Sequence, residues 1–219
     1  MIHQSASRLG LALLVLTSTG FAQNYFYENF TSNAAGWTLD TEWAIGPATT
    51  STGHVYGGPD PAADADGVPG GGVGGVVIGG NASTALHGFY YLTSPPINIQ
   101  GVPSAYLNYA RWLNSDYTPY MQNKIQISTN GGATWTDLPY GTTGSCCGVQ
   151  DTAWTNHPLP GGAPALPTNS AQYPTQFDIS AYKSANTRIR FGYNIASGGV
   201  YTIGSWNLDD VLVASAICP

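Results

Sequence analysis

The sequence predicts an all-β protein, an antiparallel β-sandwich of the jelly-roll type, on three observations. Beyond residue 22 no helical period of apolar residues is sustained. Short stretches alternate apolar and polar residues, the period of a strand with one buried face. Clusters of Gly, Pro, Asn, Asp and Ser separate these stretches, as turns separate the strands of a sandwich. The composition agrees: 42% of residues are apolar and 12% aromatic, too many for a disordered chain.

Residues 1–22 read as an export signal. Arg8 supplies the positive region, residues 9–16 a short apolar core, and Gly20-Phe21-Ala22 the small residues of a cleavage site. The apolar run is too short to span a bilayer. Cleavage after Ala22 leaves residues 23–219 as one domain, exported and secreted or held at the cell surface.

The opening strand is Phe26-Tyr27-Glu28-Asn29-Phe30. Leu107 and Tyr109 alternate within a second strand, and Ile125 and Ile127 alternate with Lys124, Gln126 and Ser128 in a third. Ser128-Thr129-Asn130-Gly131-Gly132-Ala133-Thr134-Trp135 reads as a hairpin, since Asn and Gly accept positive φ there. Ile189, Phe191 and Tyr193 alternate with Arg188, Arg190 and Gly192. The chain closes on Trp206-Asn207-Leu208-Asp209-Asp210-Val211-Leu212-Val213. Residues 46–85 and 141–174 read as two long loops, the usual place for binding function on a rigid sandwich. The glycine run in the first of them reads as flexible loop. Gly70, Gly72 and Gly75 fit a dinucleotide fingerprint only on paper, because no helix follows.

Charge excludes some partners. Only 8% of residues are charged, the net charge is −6, and Lys and Arg total 6. Nucleic acid needs a basic stripe, which is missing. Three cysteines, Cys146, Cys147 and Cys218, allow one disulfide: either neighbour with Cys218, or a strained vicinal bridge. His54, His87 and His157 lack zinc spacing. Glu28 and Glu42 are the only glutamates, so the carboxylate pair of a glycosidase is not visible.

Two sets of acidic residues point to calcium. Glu28 in the opening strand, with Asp209 and Asp210 in the closing one, sits among apolar neighbours, where carboxylates need a partner or a metal. Asp60, Asp64 and Asp66 form a second candidate set. Their spacing starts like an EF-hand, but no glutamate occupies the twelfth position, so a solvated loop is the alternative. Candidate ligand contacts cluster at Arg111, Trp112, Asp116, Tyr117 and Tyr120, beside Tyr109 and Asn114. Rings with nearby hydrogen-bonding groups suit sugar or peptide surfaces.

A family resemblance follows from an ordered series of phrases: Glu28-Asn29-Phe30, Gly36-Trp37, Trp43-Ala44-Ile45-Gly46, Tyr91-Leu92-Thr93-Ser94-Pro95-Pro96-Ile97, Ile127-Ser128-Thr129-Asn130-Gly131-Gly132, Asp178-Ile179-Ser180, Arg188-Ile189-Arg190-Phe191 and Trp206-Asn207-Leu208-Asp209-Asp210-Val211. The series resembles the MAM-like and cleaved-adhesin-like jelly-roll modules of exported bacterial proteins, related in fold to concanavalin-like and galactose-binding-like sandwiches. The resemblance implies a structural calcium joining first and last strands through Glu28 and Asp209 or Asp210. The expected function is a secreted, non-catalytic adhesion or carbohydrate-binding module acting on an extracellular glycan or protein surface. The alternatives are a secreted hydrolase or lyase on the same sandwich, favoured by two carboxylates or a Tyr–His pair meeting in a cleft, and a structural matrix protein.

Overall fold

The computed structural model describes residues 23–138, 148–155 and 177–215. The expected signal segment, residues 1–22, and all three cysteines lie outside these residues. Among the described residues twelve strands form two antiparallel sheets. In chain order they are β1 (Asn24–Glu28), β2 (Thr38–Leu39), β3 (Trp43–Pro47), β4 (Gly72–Val76), β5 (His87–Thr93) and β6 (Tyr106–Ser115). Then come β7 (Met121–Ser128), β8 (Thr136–Asp137), β9 (Val149–Gln150), β10 (Phe177–Asp178), β11 (Arg188–Ile195) and β12 (Trp206–Ala214). A 3-10 turn, Ser180–Tyr182, precedes β11. No helix among the described residues is long and apolar enough to cross a membrane.

One sheet runs β10-β6-β12-β4-β3, with β1 also on β12 and β9 also on β6; the other runs β2-β5-β11-β7-β8. The predicted sandwich is therefore the observed one. Its core lies between the sheets. Ile189, Phe191, Tyr193 and Ile195 of β11 alternate inward and are buried, as are Ile125 and Ile127 of β7. Facing them are Leu107, Tyr109 and Leu113 of β6 and Trp206, Leu208, Val211 and Val213 of β12. Phe191 meets the edges of Tyr109 and Trp206 at 5.2 and 5.8 Å between ring centroids.

The glycine run is a correction to the sequence reading. Gly72 to Val76 is a fully buried strand between β3 and β12. Side chains would not fit there. A Cβ on Gly72 would lie 2.2 Å from the Phe30 carbonyl oxygen, and one on Gly75 would lie 2.4 Å from Asn207 Oδ1. Glycine lets neighbouring chain and rings press onto the strand.

The closing strand holds a bulge at its two aspartates. Asp210 has φ +49°, and pairing with β6 slips between Asp209 and Leu212. Before the bulge β12 pairs with β4, and after it with β1. Aspartate tolerates this backbone region better than the apolar residues around it. The predicted hairpin is present between β7 and β8. Asn130 Oδ1 accepts the Thr134 amide at 2.9 Å, and Ser128 Oγ accepts the Gly132 amide at 2.8 Å.

Candidate functional site

The first long loop is not free to reach a ligand. Between Gly57 and Gly71 it is sewn across β6 and β12. Trp112 Nε1 donates to the Pro59 carbonyl at 3.0 Å, and Trp154 Nε1 to the Ala63 carbonyl at 2.9 Å. The two indoles meet edge to face at 5.9 Å. Asn114 Oδ1 accepts the Gly58 amide, and Asp209 Oδ2 accepts the Ala65 amide, both at 2.9 Å.

Asp60 is the buried anchor of this loop. It is 2% exposed, and its carboxylate receives the Ser205 amide, the Ser205 hydroxyl and the Gly79 amide. Burial raises its pKa to about 6 against the pull of those donors. Donor hydrogens point at the oxygens from several sides, an environment built for a carboxylate rather than for a cation. Glu28 is similarly engaged. Its oxygens accept the Phe30 amide at 2.8 Å and Trp37 Nε1 at 3.1 Å, beneath the sheet.

The remaining acidic residues gather. Asp209 and Asp210 lie within electrostatic reach of Asp64, and Asp210 also feels Asp66. Asp209 is raised to about 7, first by burial and then by repulsion from Asp210 and Asp64. Asp210 is raised by burial, although the Tyr27 hydroxyl donates to its Oδ1 at 2.5 Å. Asp64 Oδ1 caps the Val68 amide at 2.7 Å. Among the described residues no three carboxylate, imidazole or thiol groups converge closely enough to chelate one metal ion. The two acidic sets of the sequence thus meet in part: Asp64 and Asp66 with Asp209 and Asp210, without Glu28 or Asp60.

The expected ligand contacts divide as well. Arg111 is 4% exposed and forms a paired ion bond to Asp151, Nε to Oδ2 at 2.9 Å and Nη2 to Oδ1 at 3.1 Å. Asp116 is 2% exposed and accepts the amides of Tyr117 and Tyr201. With Trp112 on the loop, these three serve the scaffold. Tyr117 and Tyr120 are partly open, with rings 5.1 Å apart, edge to face. They are joined by two tyrosines the sequence does not single out. Tyr201 is 54% exposed and lies 5.7 Å from Tyr56. The Tyr117 hydroxyl is held above its ordinary pKa chiefly by Tyr120, with a lesser contribution from Tyr201. Three separate segments meet here: the Val55 amide bonds the Thr202 carbonyl, and the Ala196 amide the Tyr120 carbonyl.

A Tyr–His pair does converge, at the margin of the core, where His87 and Tyr90 are half-buried over the buried Tyr193. His87 stacks on Tyr90 at 4.1 Å and meets Tyr193 edge-on at 5.1 Å. Tyr193 is 0% exposed, and its hydroxyl donates to Glu42. Burial, then Glu42, pushes that phenol well above its ordinary range. A phenol so held is a locked donor, out of reach of a substrate.

No family model matches the chain, and no curated protein matches it. Among solved structures it is similar to a cleaved adhesin domain of Lys-gingipain from Porphyromonas gingivalis. The two share 14% identity at a TM-score of 0.45, over 87% of this chain and 98% of that one.

Proposed function

We propose that this protein is an exported, non-catalytic adhesion module that grips an extracellular glycan with the tyrosine cluster at the end of its sandwich. The observation that carries this reading is the gathering of Tyr56, Tyr117, Tyr120 and Tyr201 from three segments, with Tyr201 half open. Tyrosine offers a flat apolar face for a pyranose ring and a hydroxyl for its edge. The carboxylate within the cluster, Asp116, is spent on two backbone amides. Binding without bond cleavage is the chemistry such a set performs best.

The test is retention on insoluble polysaccharides. Tyr117→Ala and Tyr201→Ala each weaken retention about tenfold, as loss of an aromatic anchor does. Their melting temperatures stay within about 2 °C of the parent, because partly open rings contribute little to the core. Unchanged retention, or release of new reducing ends from the glycan, contradicts this reading; the second outcome favours the hydrolase or lyase.

Calcium belongs to the proposal in an altered place, at Asp64, Asp66, Asp209 and Asp210. A divalent cation offsets the burial, and after it the repulsion from neighbouring carboxylates, that now raise Asp209 and Asp210. It would have to draw the four carboxylates closer together. In chelator, the melting temperature falls as pH rises from about 5 to about 8. The sign follows from Asp209: folded it holds its proton up to about 7, whereas unfolded it releases it near about 4. The folded state therefore binds more protons between these values and loses stability as pH rises through them. Calcium favours the ionised form and flattens this decline. A melting curve at pH 8 that ignores both calcium and chelator removes the metal from the proposal.

A further inference from the structure

The outer face of the second sheet carries an arrangement that the tyrosine cluster does not use. Lys124, Arg188 and Arg190 alternate with the core residues of β7 and β11 and point away from the core. They are half of the chain's 6 Lys and Arg residues. Of the others, Arg8 lies in the signal segment, Arg111 is paired with Asp151, and Lys183 gives its ammonium to the carbonyls of Val102 and Pro103. The positive charge of an acidic protein is thus concentrated on one sheet face.

Aromatic rings interleave with these cations. Lys124 Nζ lies 4.1 Å over the Phe89 ring. The Arg190 guanidinium lies 3.6 Å from the Tyr91 ring and 4.0 Å from the Trp135 ring. Phe89 and Tyr91 are nearly parallel, at 21° and 5.9 Å. Gly192 makes room for them, since a Cβ there would lie 2.4 Å from the Tyr91 ring and 3.4 Å from that of Phe89. Gln126 Oε1 holds Arg190 Nε at 2.8 Å and fixes the guanidinium in place. Arg188 is turned to the scaffold: its Nη1 donates to the Ser94 carbonyl at 3.1 Å, and its Nε is buried.

We propose that this face binds an acidic polysaccharide of the uronate class, with sugar rings along Phe89 and Tyr91 and carboxylates on Arg190 and Lys124. Aromatic rims pack against the C–H side of a pyranose, and a fixed guanidinium donates hydrogen bonds from its Nη groups to a carboxylate. Charge spacing selects the occupant. Asp137 lies 3.6 Å from Lys124, and Asp40 is close enough to Arg190 to influence it. A dense polyanion meets these two carboxylates as repulsion, whereas a uronate chain carries one charge per ring. The net charge of −6 disfavours nucleic acid still more strongly.

This site is separate from the tyrosine cluster, so the two stand or fall apart. The experiment is titration of the purified protein with polygalacturonate, dextran sulfate (a denser polyanion without uronate) and neutral dextran, at about 0.05 and about 0.5 M salt. Polygalacturonate is expected to bind best, and more weakly at high salt. The double variant Lys124→Gln, Arg190→Gln loses about tenfold in affinity, the effect of two lost charge-assisted contacts. The Tyr117→Ala and Tyr201→Ala variants retain polygalacturonate binding. Should the double variant melt early, Lys124→Gln alone with the salt series replaces it, and an intermediate loss is expected. Equal binding by parent and variants, salt-independent binding, preference for dextran sulfate, or loss only in the tyrosine variants overturns the proposal.

Discussion

Replacing Asp60 with Ala lowers stability by about 3 kcal/mol at pH 5, since it orphans a set of buried donors. The Ser205 amide, the Ser205 hydroxyl and the Gly79 amide all end on this carboxylate, and solvent does not reach it. A loss of that size is roughly 6–12 °C in melting temperature for a domain this long. The loss is smaller at pH 8. The group's folded pKa, about 6, stands above the ordinary carboxylate value. Its stabilising contribution is therefore present at low pH and fades as pH rises through about 6, where the parent already bears a buried charge. Asp60→Asn keeps one acceptor oxygen and loses less. Denaturant melts at the two pH values decide the matter; a loss that grows with pH would contradict this account of the anchor.

Gly72→Ala has an effect of similar size for a different reason. The added Cβ meets the Phe30 carbonyl oxygen at 2.2 Å, the Phe30 carbonyl carbon at 2.4 Å and the Thr31 nitrogen at 2.5 Å. These are backbone atoms, which cannot swing aside as a side chain can. Either β4 leaves its place between β3 and β12, or the turn after β1 moves, at a cost of about 3 kcal/mol. Gly88→Ala in β5 is the control, because a Cβ there meets nothing within 4 Å. It is expected to be neutral or slightly stabilising. Equal melting temperatures for the two variants would contradict the placement of β4.

The sandwich was legible wherever alternation was clean. Ile125 and Ile127, and Ile189, Phe191 and Tyr193, occupy the core as their period requires. The turn at Asn130 was legible because its side-chain and backbone chemistry is local. Strand β4 was not, since its glycines are demanded by what packs on them and local propensity favours a loop. The candidate site divides along the same line. Tyr117 and Tyr120 are neighbours in sequence and flank a proline, so their pairing could be read. Tyr56 and Tyr201 are lone aromatics in loops, and only the tertiary fold brings them together. Arg111 and Asp116 looked like ligand contacts because a charge beside aromatic rings has no sequence mark of burial. Their partners, Asp151 and the Tyr201 amide, lie 40 and 85 residues away. The paired aspartates of the closing strand were correctly unusual. Their surroundings owe more to a bulge and a docked loop than to Glu28.

A glycan-binding role for the tyrosine end is tested most directly by labelling the tyrosine rings and titrating a soluble oligosaccharide mixture by NMR. Shifts are predicted at Tyr56, Tyr117, Tyr120 and Tyr201, with Tyr109 and Tyr193 in the core unmoved and the sugars intact. Unmoved signals at the four clustered rings, or cleavage of the sugars during the titration, would contradict it.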